Sequence, residues 1–160
     1  MTFEEFAVEE LEKPGMSMLL TCIDYRYANR IVDTMQRLSL TGTYDQFILA
    51  GASLGACRRD WQKVLVEHIK GAIDLGHDIR RVVILDHRDC GAYKHPRKLD
   101  IPKDILKHGL PSDVLPSVEK ACHQDVLSKL IPMLKEHPVI ARMEFRALLL
   151  TRDEDDELKA

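Results

Sequence analysis

The run Arg81-Val-Val-Ile-Leu-Asp86, β-branched and apolar, is the clearest strand in the chain and the feature that most narrows its fold. A run of this kind reads as a strand covered on both faces, as in a parallel sheet with helices above and below. Ser17-Met-Leu-Leu-Thr-Cys-Ile23 and Gln46-Phe-Ile-Leu-Ala50 read as two further strands. Helical patterns separate the three. Ala28 to Leu40 carries Ile31, Met35 and Leu38 on one face, with Gly42 as a stop. Gly51 to Gly55 reads as a small-residue turn, and Cys57 to Leu75 as a helix with Trp61, Leu65, Ile69 and Ile73 along its apolar stripe. Strands alternating with helices imply an α/β fold: a mostly parallel central sheet flanked by helices.

Downstream the pattern changes. Lys94 to Pro111 is polar and contains three prolines, which predicts a loop with at most a short helix around Lys103 to His108. Val114, Val118, Cys122, Val126, Leu130 and Leu134 recur every four residues, the mark of a long amphipathic helix that Pro132 should kink or split. Ala141, Met143, Phe145, Ala147 and Leu149 then alternate with Arg142, Glu144, Arg146 and Leu148, which predicts a half-exposed, C-terminal edge strand. Arg152 to Ala160, with its acidic stretch Asp153 to Glu157, reads as a solvated tail. With no repeat or linker to divide it, residues 1–160 read as a single α/β domain.

The charge balance limits the partners. With 23 basic and 26 acidic side chains and a formal charge of -3, the chain offers no electrostatic footprint for nucleic acid or an anionic membrane. Small molecules are the expected partners. The first ten residues are acidic where a secretory signal carries positive charge, and no apolar run approaches the ~20 residues of a spanning helix. A soluble, cytoplasmic protein is the expectation. Four cysteines, Cys22, Cys57, Cys90 and Cys122, are too few and too scattered for a disulfide scaffold, leaving metal binding or plain burial.

Position separates those two fates. Cys22 ends the first strand, and His87 and Cys90 follow the third; open parallel sheets collect ligands at the carboxyl ends of their strands. If those strands adjoin, two thiolates and an imidazole converge on one ion, a Cys₂His set known from catalytic zinc sites, with a fourth position open. Gly91 is expected to grant the loop a backbone conformation that other residues resist. Asp24 and Arg26 alternate with Ile23 and Tyr25, so on an extended backbone they share the side of Cys22. An arginine fork keeps a carboxylate ionised and fixed, able to orient a nucleophile at the metal; alternatively Asp24 swings in as a fourth ligand and closes the site. Cys57 and Cys122, within helical patterns, are assigned to core packing. His68 and His123 read as ordinary helix residues, His95 as an exposed loop histidine in preference to a proton shuttle, and Tyr25, Tyr27 and Tyr93 as packing.

Two short motifs carry a resemblance. Cys22-Ile-Asp-Tyr-Arg26 and His87-Arg-Asp-Cys90-Gly91 are similar to the Cys-x-Asp-x-Arg and His-x-x-Cys-Gly signatures of β-class carbonic anhydrases, in the same order and each after a strand. The resemblance implies zinc as cofactor, Cys22, His87 and Cys90 as its ligands, and Asp24 and Arg26 as a catalytic dyad. Gly51 and Gly91 are the candidate substrate-binding positions. It implies reversible hydration of carbon dioxide to bicarbonate, and leaves a homodimer or higher homo-oligomer possible. One departure stands out: Ile48-Leu49-Ala50-Gly51-Ala52 occupies the place of the family's Arg-Asn-Ala-Gly-Asn, and little chain precedes the first expected strand. The altered loop motivates two alternatives, a zinc hydrolase of carbonyl sulfide or carbon disulfide, and a non-catalytic zinc and bicarbonate-binding protein.

Overall fold

A computed structural model describes residues 3–8, as backbone, and residues 15–151. One five-stranded sheet runs through it in the order β1 (Phe3–Val8), β5 (Glu144–Leu150), β4 (Ile79–His87), β2 (Met16–Thr21), β3 (Tyr44–Ile48). The last four strands are mutually parallel, and β1 is antiparallel to β5. The helices are α1 (Ala28–Arg37), α2 (Ser53–Ala56), α3 (Arg59–Asp74), α4 (Gly91–Lys94) and α5 (Pro116–Lys135). The sheet is therefore the parallel, helix-flanked α/β arrangement its apolar strands require.

Both faces of the central strands β2, β4 and β5 are buried. Leu20, Val82, Ile84 and Phe145 meet Leu65, Ile69, Leu130 and Leu134 of α3 and α5 on one side. Leu19, Val83, Leu85 and Leu148 meet Met35 of α1 and Leu40 on the other. Connections from β2 and β4 leave in opposite directions: β2 proceeds through α1 to β3, and β4 proceeds through α5 to β5. The crevice beyond the carboxyl ends of β2 and β4 is thus the switch point of the sheet, where a ligand can enter between diverging connections.

The structure corrects several expectations. The carboxyl-terminal strand is not at the edge, because β1 pairs along it from Phe3↔Leu150 to Val8↔Arg146, and Phe145 and Ala147 to Leu150 are almost fully buried. Its alternating charges misled because Glu144 is itself buried, 3.8 Å from the Arg81 guanidinium. The segment ahead of the first expected strand is β1. The stretch from Lys94 to Pro111 is largely the loop expected, but its short helical turn is a 3-10 turn at Pro96–Leu99 rather than at Lys103 to His108, started by a proline whose fixed φ suits a first helical position. Helix α5 continues through Pro132 without splitting. The tail from Arg152 onward lies outside the described residues. Among the described residues no helix is long and apolar enough to cross a membrane.

Candidate metal centre and active site

Strand β2 delivers Cys22 immediately beyond its last residue, and β4 ends on His87 itself. A tight loop then returns Cys90. The donor atoms of Cys22, His87 and Cys90 all lie within 4.8 Å of one another, all three residues are buried, and the two sulfurs are 4.0 Å apart. Tetrahedral zinc with Zn–S bonds of ~2.3 Å separates two sulfurs by roughly 3.8 Å, so the thiols are spaced for one ion.

The imidazole is prepared for the same task. Its Nδ1 lies 2.7 Å from the Arg88 carbonyl oxygen, which only an N–H can satisfy, so the lone pair resides on Nε2. Nε2 is buried with no hydrogen-bond partner among the described residues. A buried acceptor left without a donor is costly unless something else occupies its lone pair, and a cation does so. The ring is held flat against Tyr27, centroids 4.2 Å apart. These residues fit a zinc ion.

Electrostatics agree. Cys22 and Cys90 share one thiolate: hydrogen bonding from Cys90 holds Cys22 below its ordinary range against the opposing effect of burial, while the Cys22 thiolate and burial push Cys90 up. Burial pulls His87 down, but the Cys22 thiolate outweighs it and leaves the imidazole above its usual value. The Cys22 thiolate thus places a negative charge beside the imidazole. The N–H of Gly51 donates to Cys22 Sγ at 3.3 Å. Gly51 has φ 78°, and a Cβ there would stand 2.8 Å from the Ala92 Cβ, so both conformation and space demand glycine.

Gly91 behaves otherwise. It is outside the left-handed region and opens α4; the loop's left-handed residue is Asp89, with φ 59°. The expected freedom of Gly91 is therefore not what turns the loop. Asp89 is anchored instead: its N–H donates to Glu119 at 2.6 Å, and its carboxylate accepts from Arg26 Nη1 at 2.9 Å and pairs with Lys94.

Asp24 and Arg26 meet, though not on an extended backbone. The chain turns into a 3-10 helix at Tyr25–Tyr27, with Asp24 as its N-cap accepting the Arg26 N–H at 3.0 Å. This turn brings the guanidinium onto the carboxylate, with Nε to Oδ1 at 3.0 Å and Nη2 to Oδ2 at 2.6 Å. The Arg26 contacts hold Asp24 below the ordinary carboxylate range, against a smaller burial effect. Asp24 Oδ2 is 3.6 Å from His87 Nε2, at the rim of a cavity of about 640 Å³ also lined by Ile23, Tyr25, Gly51, Gly91 and Leu99. His95 and Lys98 stand on its outer wall. Cys57 and Cys122 are elsewhere, and burial pushes their thiols up to about 12 and about 11.

A second set of polar residues lies beneath the loop. Asp86, one residue before His87, is buried and accepts from Ser53 N–H at 3.1 Å, Ser53 Oγ at 2.5 Å, Tyr93 OH at 3.1 Å and His123 Nδ1 at 2.8 Å. Burial pushes its carboxyl up, but the bond and charge of His123 and the Ser53 donors outweigh that and hold it low. Sequence reasoning passed over this cluster. The available signal was Glu119 and His123, one helical turn apart on α5 and both buried where Val118 is 49% exposed.

No family model matches the chain. An uncharacterized protein of Rickettsia bellii is 31% identical over an alignment covering 75% of this chain and 68% of that protein. The chain belongs to that protein's family. A second uncharacterized rickettsial protein, from Rickettsia conorii, is 32% identical over 59% of this chain, which spans 61% of that relative's length. Among solved structures the chain is similar to a β-carbonic anhydrase, isoform I, of Trichomonas vaginalis, at 17% identity and TM-score 0.49, covering 92% of this chain and 84% of that one.

Proposed function

We propose that this chain is a zinc-dependent enzyme of the β-class carbonic anhydrase type, interconverting carbon dioxide and bicarbonate. One observation carries the reading: Cys22, His87 and Cys90 converge within 4.8 Å, with the Asp24 carboxylate 3.6 Å from His87 Nε2 at the mouth of the same cavity. A zinc ion held by those three donors supplies the Lewis acidity that makes water a nucleophile near neutral pH.

The chain's own residues do the rest. Arg26 forks onto Asp24 and keeps it an ionised acceptor, so the carboxylate can take a hydrogen bond from the attacking water and aim its lone pair at carbon. The same fork restrains Asp24 from swinging in among the ligands. Ile23 and Leu99 give the cavity an apolar lining suited to an uncharged linear substrate. Gly51 N–H steadies the Cys22 sulfur.

Stopped-flow carbon dioxide hydration on zinc-loaded protein, with Asp24→Asn as partner variant, tests this reading. Two thiolates leave less positive charge at the site than three imidazoles, whose sites work near pH ~7, so activity is expected to climb toward alkaline pH. Fast turnover that collapses 10²-fold or more in Asp24→Asn supports the dyad; zinc-loaded protein without turnover sinks the reading. A second reading, hydrolysis of carbonyl sulfide or carbon disulfide, is favoured by the apolar Ile48-Leu49 pair that replaces Arg-Asn. Turnover of carbonyl sulfide on the same preparation decides between them.

A further inference from the structure

Asp86 ties together the segments that bear or touch the proposed ligands. Directly after it comes His87, at the end of β4. Through Tyr93 it holds α4, three residues beyond Cys90. Through both donors of Ser53 it holds the turn in which Gly51 faces Cys22 Sγ. That turn needs holding: Ala52, between Gly51 and Ser53, has φ 43° and ψ -105°, a strained conformation for a residue with a Cβ. The cluster closes on itself, since Ser53 Oγ and Tyr93 OH are 2.8 Å apart and the Tyr93 and His123 rings stack at 3.9 Å. Ser53, Tyr93 and His123 are all at most 1% exposed, so water does not compete for these bonds.

We propose that Asp86 is the positioning residue of the metal centre, its buried carboxylate setting the distance between the Cys22 and Cys90 sulfurs by clamping the Gly51–Ser53 turn and α4 to the end of β4. The inference rests on the metal-centre reading given above. Arg26 also spans the two sides, from Asp24 to Asp89, but at the exposed rim, whereas Asp86 does so from beneath, where it is buried. A carboxylate suits the post because all its neighbours donate; an amide of the same shape turns a donor toward donors.

The test is zinc affinity by chelator competition, paired with the visible spectrum of the cobalt-substituted protein, which reports ligand geometry independently of turnover. Asp86→Asn is expected to weaken zinc binding 10–100-fold and alter the cobalt ligand-field bands, as loss of an outer partner does at other metal sites. Ser53→Ala and Tyr93→Phe each remove one strut and keep the rest, so they are expected to shift both readouts the same way by less, and they carry the test if Asp86→Asn does not fold. Leu130→Ala, a core truncation outside the cluster, is expected to lower stability while leaving affinity and spectrum unchanged. Folded variants with wild-type zinc affinity and wild-type cobalt spectrum overturn the role of Asp86. Wild-type protein that takes up neither zinc nor cobalt is a different result, and it overturns the metal-centre reading itself.

Discussion

Cys22 and Cys57 are both buried cysteines in one reduced protein, yet their surroundings set them far apart. Cys22 has Cys90, the Gly51 N–H and His87 to stabilise its thiolate and borders a cavity, whereas burial alone acts most strongly on Cys57. Only the thiolate alkylates. Metal-free protein treated with iodoacetamide near pH 7 is therefore expected to label first at Cys22, with Cys57 and Cys122 inert and zinc slowing the reaction; equal labelling at Cys57, read by peptide mass spectrometry, would contradict this. The proposed ligands were legible in sequence because Cys22 and His87 sit at strand ends and Cys90 follows within three residues, and strand ends follow from local hydrophobic runs. Asp86, Ser53, Tyr93 and His123 were not, because the partners of Asp86 are as many as 37 residues away and each member alone reads as ordinary packing.

At the level of elements, α5 divides its buried face between two duties. Its carboxyl half buries Val126, Leu130 and Leu134 against the sheet, while its amino half turns Glu119 and His123 inward to brace the loop after β4 and the end of β4 itself. The four-residue recurrence of valines and leucines located this helix but gave the wrong face to its first turns, because a polar residue with a built partner can outcompete an apolar one for burial. The two halves should respond differently to truncation. Leu130→Ala is expected to cost about 2–5 kcal/mol in denaturant unfolding, and Val118→Ala no more than about 0.5 kcal/mol. Comparable losses at the two positions would mean that the helix faces are misassigned. The strands were read more faithfully than the helices' ends, but β1 was missed, since its pairing with β5 depends on residues at the opposite end of the chain.

Across the whole molecule, the proposed ion joins β2 to the loop after β4, strands whose neighbours on either side are β3 and β5. A ligand bound only by the folded state raises stability by mass action, about 2.7 kcal/mol at a hundredfold excess over its dissociation constant. For a chain of this size that corresponds to a Tm higher by roughly 5–10 °C with zinc than after chelation. Scanning calorimetry with and without a chelator checks it, and identical transitions would show that no metal is coupled to the fold. The α/β class and the parallel arrangement of the inner strands followed from alternating patterns alone. Strand order did not, because it is decided by which edges remain available after the helices have crossed.

The position of β5 has a consequence for how the protein is made. Arg88 N–H, in the ligand loop, donates to the carbonyl of Leu150, and His87 pairs in register with the same residue. During synthesis β4 emerges with one flank bare, and it stays so until some sixty further residues have left the ribosome. Cys22 and Cys90 thus wait as unprotected thiols beside an open sheet edge while those residues are made. The nascent chain is at its most vulnerable to oxidation and to pairing with a stranger's strand in that interval, which ends only when its final strand arrives.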